Sequence, residues 1–117
     1  MSRVLLVEDD SALAELYALK LRLDGHLVEV VADSASALAF FEANHPEVVC
    51  VDLMLPDRTG GELAEQLAAS GARVILLTND ELGVGRPPSG VALALLKVRT
   101  PPSLLSAEIA ALVERSR

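Results

Sequence analysis

Five residues of this chain are of types that do chemistry together: Glu8, Asp9, Asp52, Thr78 and Lys97. Each sits at the end of a short apolar run. Val4-Leu5-Leu6-Val7 leads into Glu8-Asp9-Asp10, Val48-Val49-Cys50-Val51 into Asp52, Arg73-Val74-Ile75-Leu76-Leu77 into Thr78, and Val91-Ala92-Leu93-Ala94-Leu95-Leu96 into Lys97. An apolar run of this length without a turn former reads as a strand buried on both faces. If the strands run parallel, their carboxyl ends share one edge, which is where open α/β sheets bind ligands. Three carboxylates gathered there repel one another, so one keeps a proton or a cation joins them. Mg²⁺ prefers oxygen ligands and keeps several waters, which suits a shallow acidic cleft. Lys97 adds one positive charge against three negative ones.

The elements between the runs have helical spacing. Ser11 opens a helix, with Asp10 or Ser11 as cap, and Ala12, Leu16, Leu19 and Leu23 fall on one face that is expected to pack inward. Asp24-Gly25 stops it. Val28 to Val31, with Glu29 inside, reads as a strand nearer a sheet edge. Ser34 is the expected cap of a second helix, which turns Leu38 and Phe41 inward and ends at Asn44-His45-Pro46. After the Asp52 strand and the turn Pro56-Asp57-Arg58-Thr59-Gly60-Gly61, a third helix runs from Glu62 to Ala69. Thr100-Pro101-Pro102-Ser103 reads as the start of the last helix, with Thr100 as cap and Leu105, Ile109 and Leu112 facing inward. The segment from Asn79 to Gly90 carries three Gly and two Pro, which disfavours a regular helix there. Strands alternating with helices imply right-handed crossovers and a doubly wound parallel α/β sheet.

At 117 residues the chain is one domain, 1–117, with enough length to bury a core of Val, Leu and Ala. Its net charge of −7 argues against direct nucleic-acid binding by this domain. No apolar run approaches a membrane span and Met1-Ser2-Arg3-Val4 is not a signal-peptide start, so no membrane association is expected. The single cysteine excludes an internal disulfide and fits a reducing cytoplasm.

The combination Val7-Glu8-Asp9, Asp52 followed by Pro56 and Gly60, Thr78, and Lys97 resembles the receiver domain of two-component response regulators. The resemblance covers nearly the whole chain. It implies a flavodoxin-like fold of five parallel strands in the order 2-1-3-4-5. It implies that Asp52 takes a phosphoryl group from a histidine kinase or phosphotransfer protein. Glu8, Asp9, Asp52 and the backbone carbonyl of Met54 would hold Mg²⁺, while Lys97 and the Thr78 hydroxyl would meet phosphoryl oxygens. Such a domain is at most self-phosphorylating and self-dephosphorylating, and it signals to a downstream protein or effector domain, with a homodimer as one option.

The chain departs from that pattern on its last third. Asn79 stands where the family has a small residue, either crowding the site or offering it an amide. Val98 stands where the family has a cis proline, and a cis bond to a non-proline residue costs about 3 kcal/mol. Ala94 stands at the switch aromatic, and the fourth helix is expected to be shortened or absent. These departures motivate an alternative, a pseudo-receiver acting as a phosphorylation-independent interaction module. A third reading, a hydrolase with Asp52 as nucleophile, lacks a second acid–base group or a substrate pocket. Taken singly, the acids could be a solvated helix-capping turn, Thr78 could satisfy a backbone group, and Lys97 could be a surface residue. Cys50 reads as a small buried hydrophobe and Tyr17 as helix packing. Arg58 reads as exposed, and His26 and His45 carry no role.

Overall fold

The computed structural model describes residues 2–115. Met1, Ser116 and Arg117, the ends of the expected 1–117 domain, lie outside the described residues. Five strands, β1 (Arg3–Val7), β2 (Leu27–Val31), β3 (Val48–Asp52), β4 (Arg73–Thr78) and β5 (Leu93–Leu96), alternate with five helices. The helices are α1 (Ser11–Leu23), α2 (Ser34–Asn44), α3 (Gly60–Ala69), α4 (Glu81–Gly85) and α5 (Pro102–Arg115). The strands are all parallel, in the order β2-β1-β3-β4-β5. This is the expected flavodoxin-like order, with β2 on an edge.

Successive side chains of a strand point to opposite faces, so each central strand feeds two cores. Val4 and Leu6 of β1, Val48 and Cys50 of β3 and Ile75 and Leu77 of β4 pack with Tyr17, Leu21, Leu105 and Ile109 from α1 and α5. Leu5, Val7, Val49, Val51, Val74 and Leu76 pack on the other face with Ala37, Phe41, Leu63 and Leu67 from α2 and α3. A strand covered on both sides has no polar position to spare, which is why these runs are continuously apolar.

The expected inward face of α1 is corrected. Ala14, Tyr17, Ala18 and Leu21 are buried, whereas Leu16, Leu19 and Leu23 are 54%, 58% and 73% exposed. Both sets have helical spacing, so periodicity alone does not choose between them. The rotation that inserts Tyr17 between the sheet and α5 lets its hydroxyl donate to the Thr100 carbonyl oxygen at 2.8 Å, and the leucines then face out.

Three local expectations also change, and for α1 the structure selects one of the two expected caps. Asp33, not Ser34, caps α2, its carboxylate accepting the Ser36 N–H at 2.7 Å. Asp10 caps α1, accepting from Leu13 N–H. Thr100 does not cap α5; its hydroxyl donates to Leu96 O at 2.7 Å and closes a 3-10 turn, Lys97–Arg99. Strand β5 begins at Leu93, since Val91 N–H turns back to Pro88 O. The Gly- and Pro-rich segment holds one five-residue helix, α4, between irregular stretches, which is the expected shortened fourth helix.

Candidate phosphoacceptor site

Glu8, Asp52 and Lys97 reach one place because their strands share a parity. Leu6 pairs in register with Cys50, and Cys50 with Ile75, which pairs with Leu93. Two residues further along β1 and β3, on the α1–α5 side, come Glu8 and Asp52. Four residues beyond Leu93 comes Lys97. Glu8 and Asp52 are 2% and 5% exposed. Lys97 Nζ lies 2.7 Å from Glu8 Oε1 and 3.2 Å from Asp52 Oδ2. A buried carboxylate is tolerated only when paired or hydrogen-bonded, and this ammonium serves two.

Further bonds fix each acid. Glu8 Oε2 accepts the Asp10 N–H at 3.1 Å. Asp52 Oδ1 accepts the Met54 N–H at 3.3 Å, and the Leu53 N–H donates to Leu77 O, so the chain stays with β4 one residue past the strand end. Burial pushes the Glu8 carboxyl above the usual range, with Lys97 and the Asp10 N–H working against it and Asp52 adding to it. For Lys97 burial disfavours the charged form, but the hydrogen bond to Glu8 and the nearby Asp52 carboxylate outweigh it and hold the ammonium above its ordinary pKa.

Gly60 is required by close approach. A Cβ built there would lie 1.9 Å from the Asp52 carbonyl oxygen. Its own N–H donates to Leu53 O at 2.7 Å, so the first turn of α3 rests against the backbone at the end of β3. The intervening loop is held by Asp57, which the sequence reading passed over. Its carboxylate accepts from Ser34 N–H, Ser34 Oγ–H and Ala35 N–H at the amino end of α2. Those bonds, led by the Ser34 hydroxyl, lower its pKa to about 2. Arg58, expected to be exposed, is half-buried instead and folds back onto α3, donating to Gln66 Oε1 at 3.0 Å.

Carboxylate oxygens of Glu8, Asp9 and Asp52 lie within 4.8 Å of one another. An all-oxygen set of three acids, only one of them exposed, against a single ammonium fits a hard divalent cation. Met54, two residues after Asp52, forms an isolated bridge with Thr59 and its side chain is exposed. Thr78 lies one residue past Leu77, the register partner of Asp52, and its hydroxyl accepts the Asp80 N–H at 2.9 Å. That leaves the hydroxyl hydrogen to donate. Cys50 is fully buried and burial pushes its thiol to about 12, as an inert core residue requires.

A cleft of about 500 Å³ opens at the opposite, amino end of the strands, lined by Arg3, His26, Leu27 and Phe40 among others. Glu8, Asp9, Asp52 and Lys97 do not line it. Among the described residues no helix is long and apolar enough to cross a membrane.

A five-stranded parallel sheet in this order, with three acids and a lysine at its carboxyl edge, defines a receiver-type α/β domain. Residues 4–84 match the response regulator receiver domain, and the chain belongs to that family. It is 44% identical over 79 residues to the sensory transduction protein RegX3 of Mycolicibacterium smegmatis, covering 67% of this chain and 35% of that protein. The chain thus spans about a third of the length of such curated relatives. Among solved structures, a response regulator receiver domain protein from Methanospirillum hungatei is 28% identical with a TM-score of 0.85, over 99% of this chain and 97% of that one. The receiver domain of the Francisella response regulator 1452 superposes over both whole chains with a TM-score of 0.91 at 24% identity.

Proposed function

We propose that this domain takes a phosphoryl group on Asp52 from a histidine kinase or phosphotransfer protein and thereby alters a surface that a downstream protein or effector domain reads. The observation that carries the reading is the meeting of Asp52 with Glu8, Asp9 and Lys97 at one sheet edge. An Asp52 carboxylate oxygen attacks phosphorus in line. The new O–P bond forms as the N–P bond to the donor imidazole breaks, and the imidazole leaves as a proton reaches its nitrogen. Lys97, already 3.2 Å from Asp52, stays within reach of a phosphoryl oxygen, and the Thr78 hydroxyl donates its hydrogen to another. Glu8, Asp9, Asp52 and the Met54 carbonyl would hold Mg²⁺, which when bound neutralises charge on the phosphoryl oxygens. Water later hydrolyses the acyl phosphate, so the state is timed. A cytoplasmic setting fits a single buried cysteine.

The test is incubation with acetyl phosphate and Mg²⁺, read by intact mass beside Asp52→Asn and a chelated control. One phosphoryl adduct, lost in both controls, is the expected result. A second reading, the pseudo-receiver, is favoured by the rebuilt β4–β5 side, where Asn79 and Val98 replace the pattern's small residue and proline. An unlabelled but folded protein would select it.

A further inference from the structure

Lys97 must reach from β5 across β4 to acids on β1 and β3, so the backbone that carries it has to be held. It is the first residue of the 3-10 turn Lys97–Arg99, and its peptide bond to Val98 is trans. The far end of the turn is fixed by Thr100, whose N–H donates to Lys97 O at 3.2 Å, whose hydroxyl donates to Leu96 O, and whose carbonyl takes the buried Tyr17 hydroxyl. The near end is fixed from another strand. The Val98 N–H donates to Asn79 Oδ1 at 3.1 Å, across nineteen residues of sequence. Asn79 follows Thr78, so one side chain joins the end of β4 to the peptide that orients Lys97. Two positions that look like separate oddities in the sequence are the two halves of one contact. Proline at 98 would have no N–H to give, and a small apolar residue at 79 no oxygen to receive it.

We propose that Asn79 is a positioning residue for Lys97: by holding the Val98 N–H it fixes the Lys97 peptide plane and so sets how fast Asp52 is phosphorylated. The inference deepens the receiver reading and rests on it. In the reaction with acetyl phosphate, Asp52 Oδ forms a bond to phosphorus while the P–O bond to acetate breaks and acetate leaves as its anion. Lys97 offsets charge on the moving group only where its ammonium is aimed.

The test combines labelling rates with amide exchange. Asn79→Ala should slow labelling by acetyl phosphate on the order of tenfold, the scale of a modest misplacement of a reacting group. In a Lys97→Ala background the same substitution should change nothing further, because the group it positions is gone. The Val98 amide should exchange roughly fivefold faster in Asn79→Ala, the factor that about 1 kcal/mol of hydrogen bond represents. Asn79→Asp, which keeps the accepting oxygen, should retain protection. Unchanged Val98 exchange, wild-type labelling in Asn79→Ala, or equal slowing in the Lys97→Ala background would each overturn the inference while the receiver reading stands. Failure of the wild type to label would overturn both.

Discussion

On the β1–β3 half of the carboxyl edge, Glu8 and Asp52 are delivered by strand parity, and, besides the Lys97 ammonium that they share, each is held by the backbone N–H two residues further on. On the β4–β5 half, Thr78 and Lys97 sit at strand ends whose loops are joined by side chains reaching across the sequence, from Asn79 to Val98 and from Tyr17 to Thr100. The family match runs over residues 4–84, so it covers the first half and Thr78 but ends before Lys97. Local geometry tolerates little change, because a shifted Asp52 has nowhere to go between two helix layers. A loop held by side-chain bonds can be rebuilt with different residues and still aim the same ammonium. The acid half is thus constrained by the sheet, and the lysine half by whichever pairs complete its turn.

The largest effect that would break this contrast lies on the acid half. Gly60→Ala drives a methyl group into the Asp52 carbonyl, a backbone contact that cannot yield as a flexible side chain would. It should destabilise the domain by more than about 3 kcal/mol in urea unfolding, beyond the usual range for overpacking. A loss under about 1 kcal/mol would show that the α3 start is not clamped on β3. Next comes a pair on α1, the helix that anchors the lysine half through Tyr17. Leu21→Ala should cost about 2–5 kcal/mol, since Leu21 is fully buried, while Leu19→Gln should stay within about 0.5 kcal/mol. Comparable losses would mean that α1 is rotated as its leucine spacing first suggests.

A smaller effect tests the acids as a group. Mg²⁺ at ten times its dissociation constant should stabilise the folded protein by about 1.4 kcal/mol, and Asp52→Asn should reduce that gain. No rise in Tm with Mg²⁺ would remove the metal from the account. The smallest concerns Asp57, whose folded pKa of about 2 lies below its ordinary 3.8. A carboxylate with a depressed folded pKa stabilises above its unfolded value, and that stability fades as pH falls through the folded one. Asp57→Asn should therefore be less stable than wild type near neutral pH, and the difference should close as pH falls from about 4 towards 2. A difference that persists in strong acid would assign the loss to packing. Because Asp57 is exposed, the neutral-pH loss should be modest.

Much of this was legible in the sequence, for physical reasons that also explain the misses. Strands β1, β3 and β4 show as unbroken apolar runs because both faces are covered, and the polar residue ending each run marks the site edge. The α1 face is not legible from spacing, because Leu16 and Leu19 keep helical spacing as well as Tyr17 and Leu21 do. The burial of Ala14, Tyr17, Ala18 and Leu21, with the Tyr17 bond to Thr100, settles the rotation. Asp57 gave no signal because it caps a helix 23 residues upstream, where no local capping pattern applies. Asn79 and Val98 were visible as departures, but their pairing requires the register of β4 and β5. Thr100 has the composition of a cap and spends its hydroxyl on the preceding turn instead.

The central claim, that Asp52 is the phosphoacceptor, is tested most directly by trapping the adduct. After reaction with acetyl phosphate and Mg²⁺, borohydride reduction converts an acyl-phosphate aspartate to homoserine, and peptide mass mapping then locates it. The account predicts homoserine at position 52 alone. Reduction products at Glu8 or Asp9, or none in a folded protein, would contradict it.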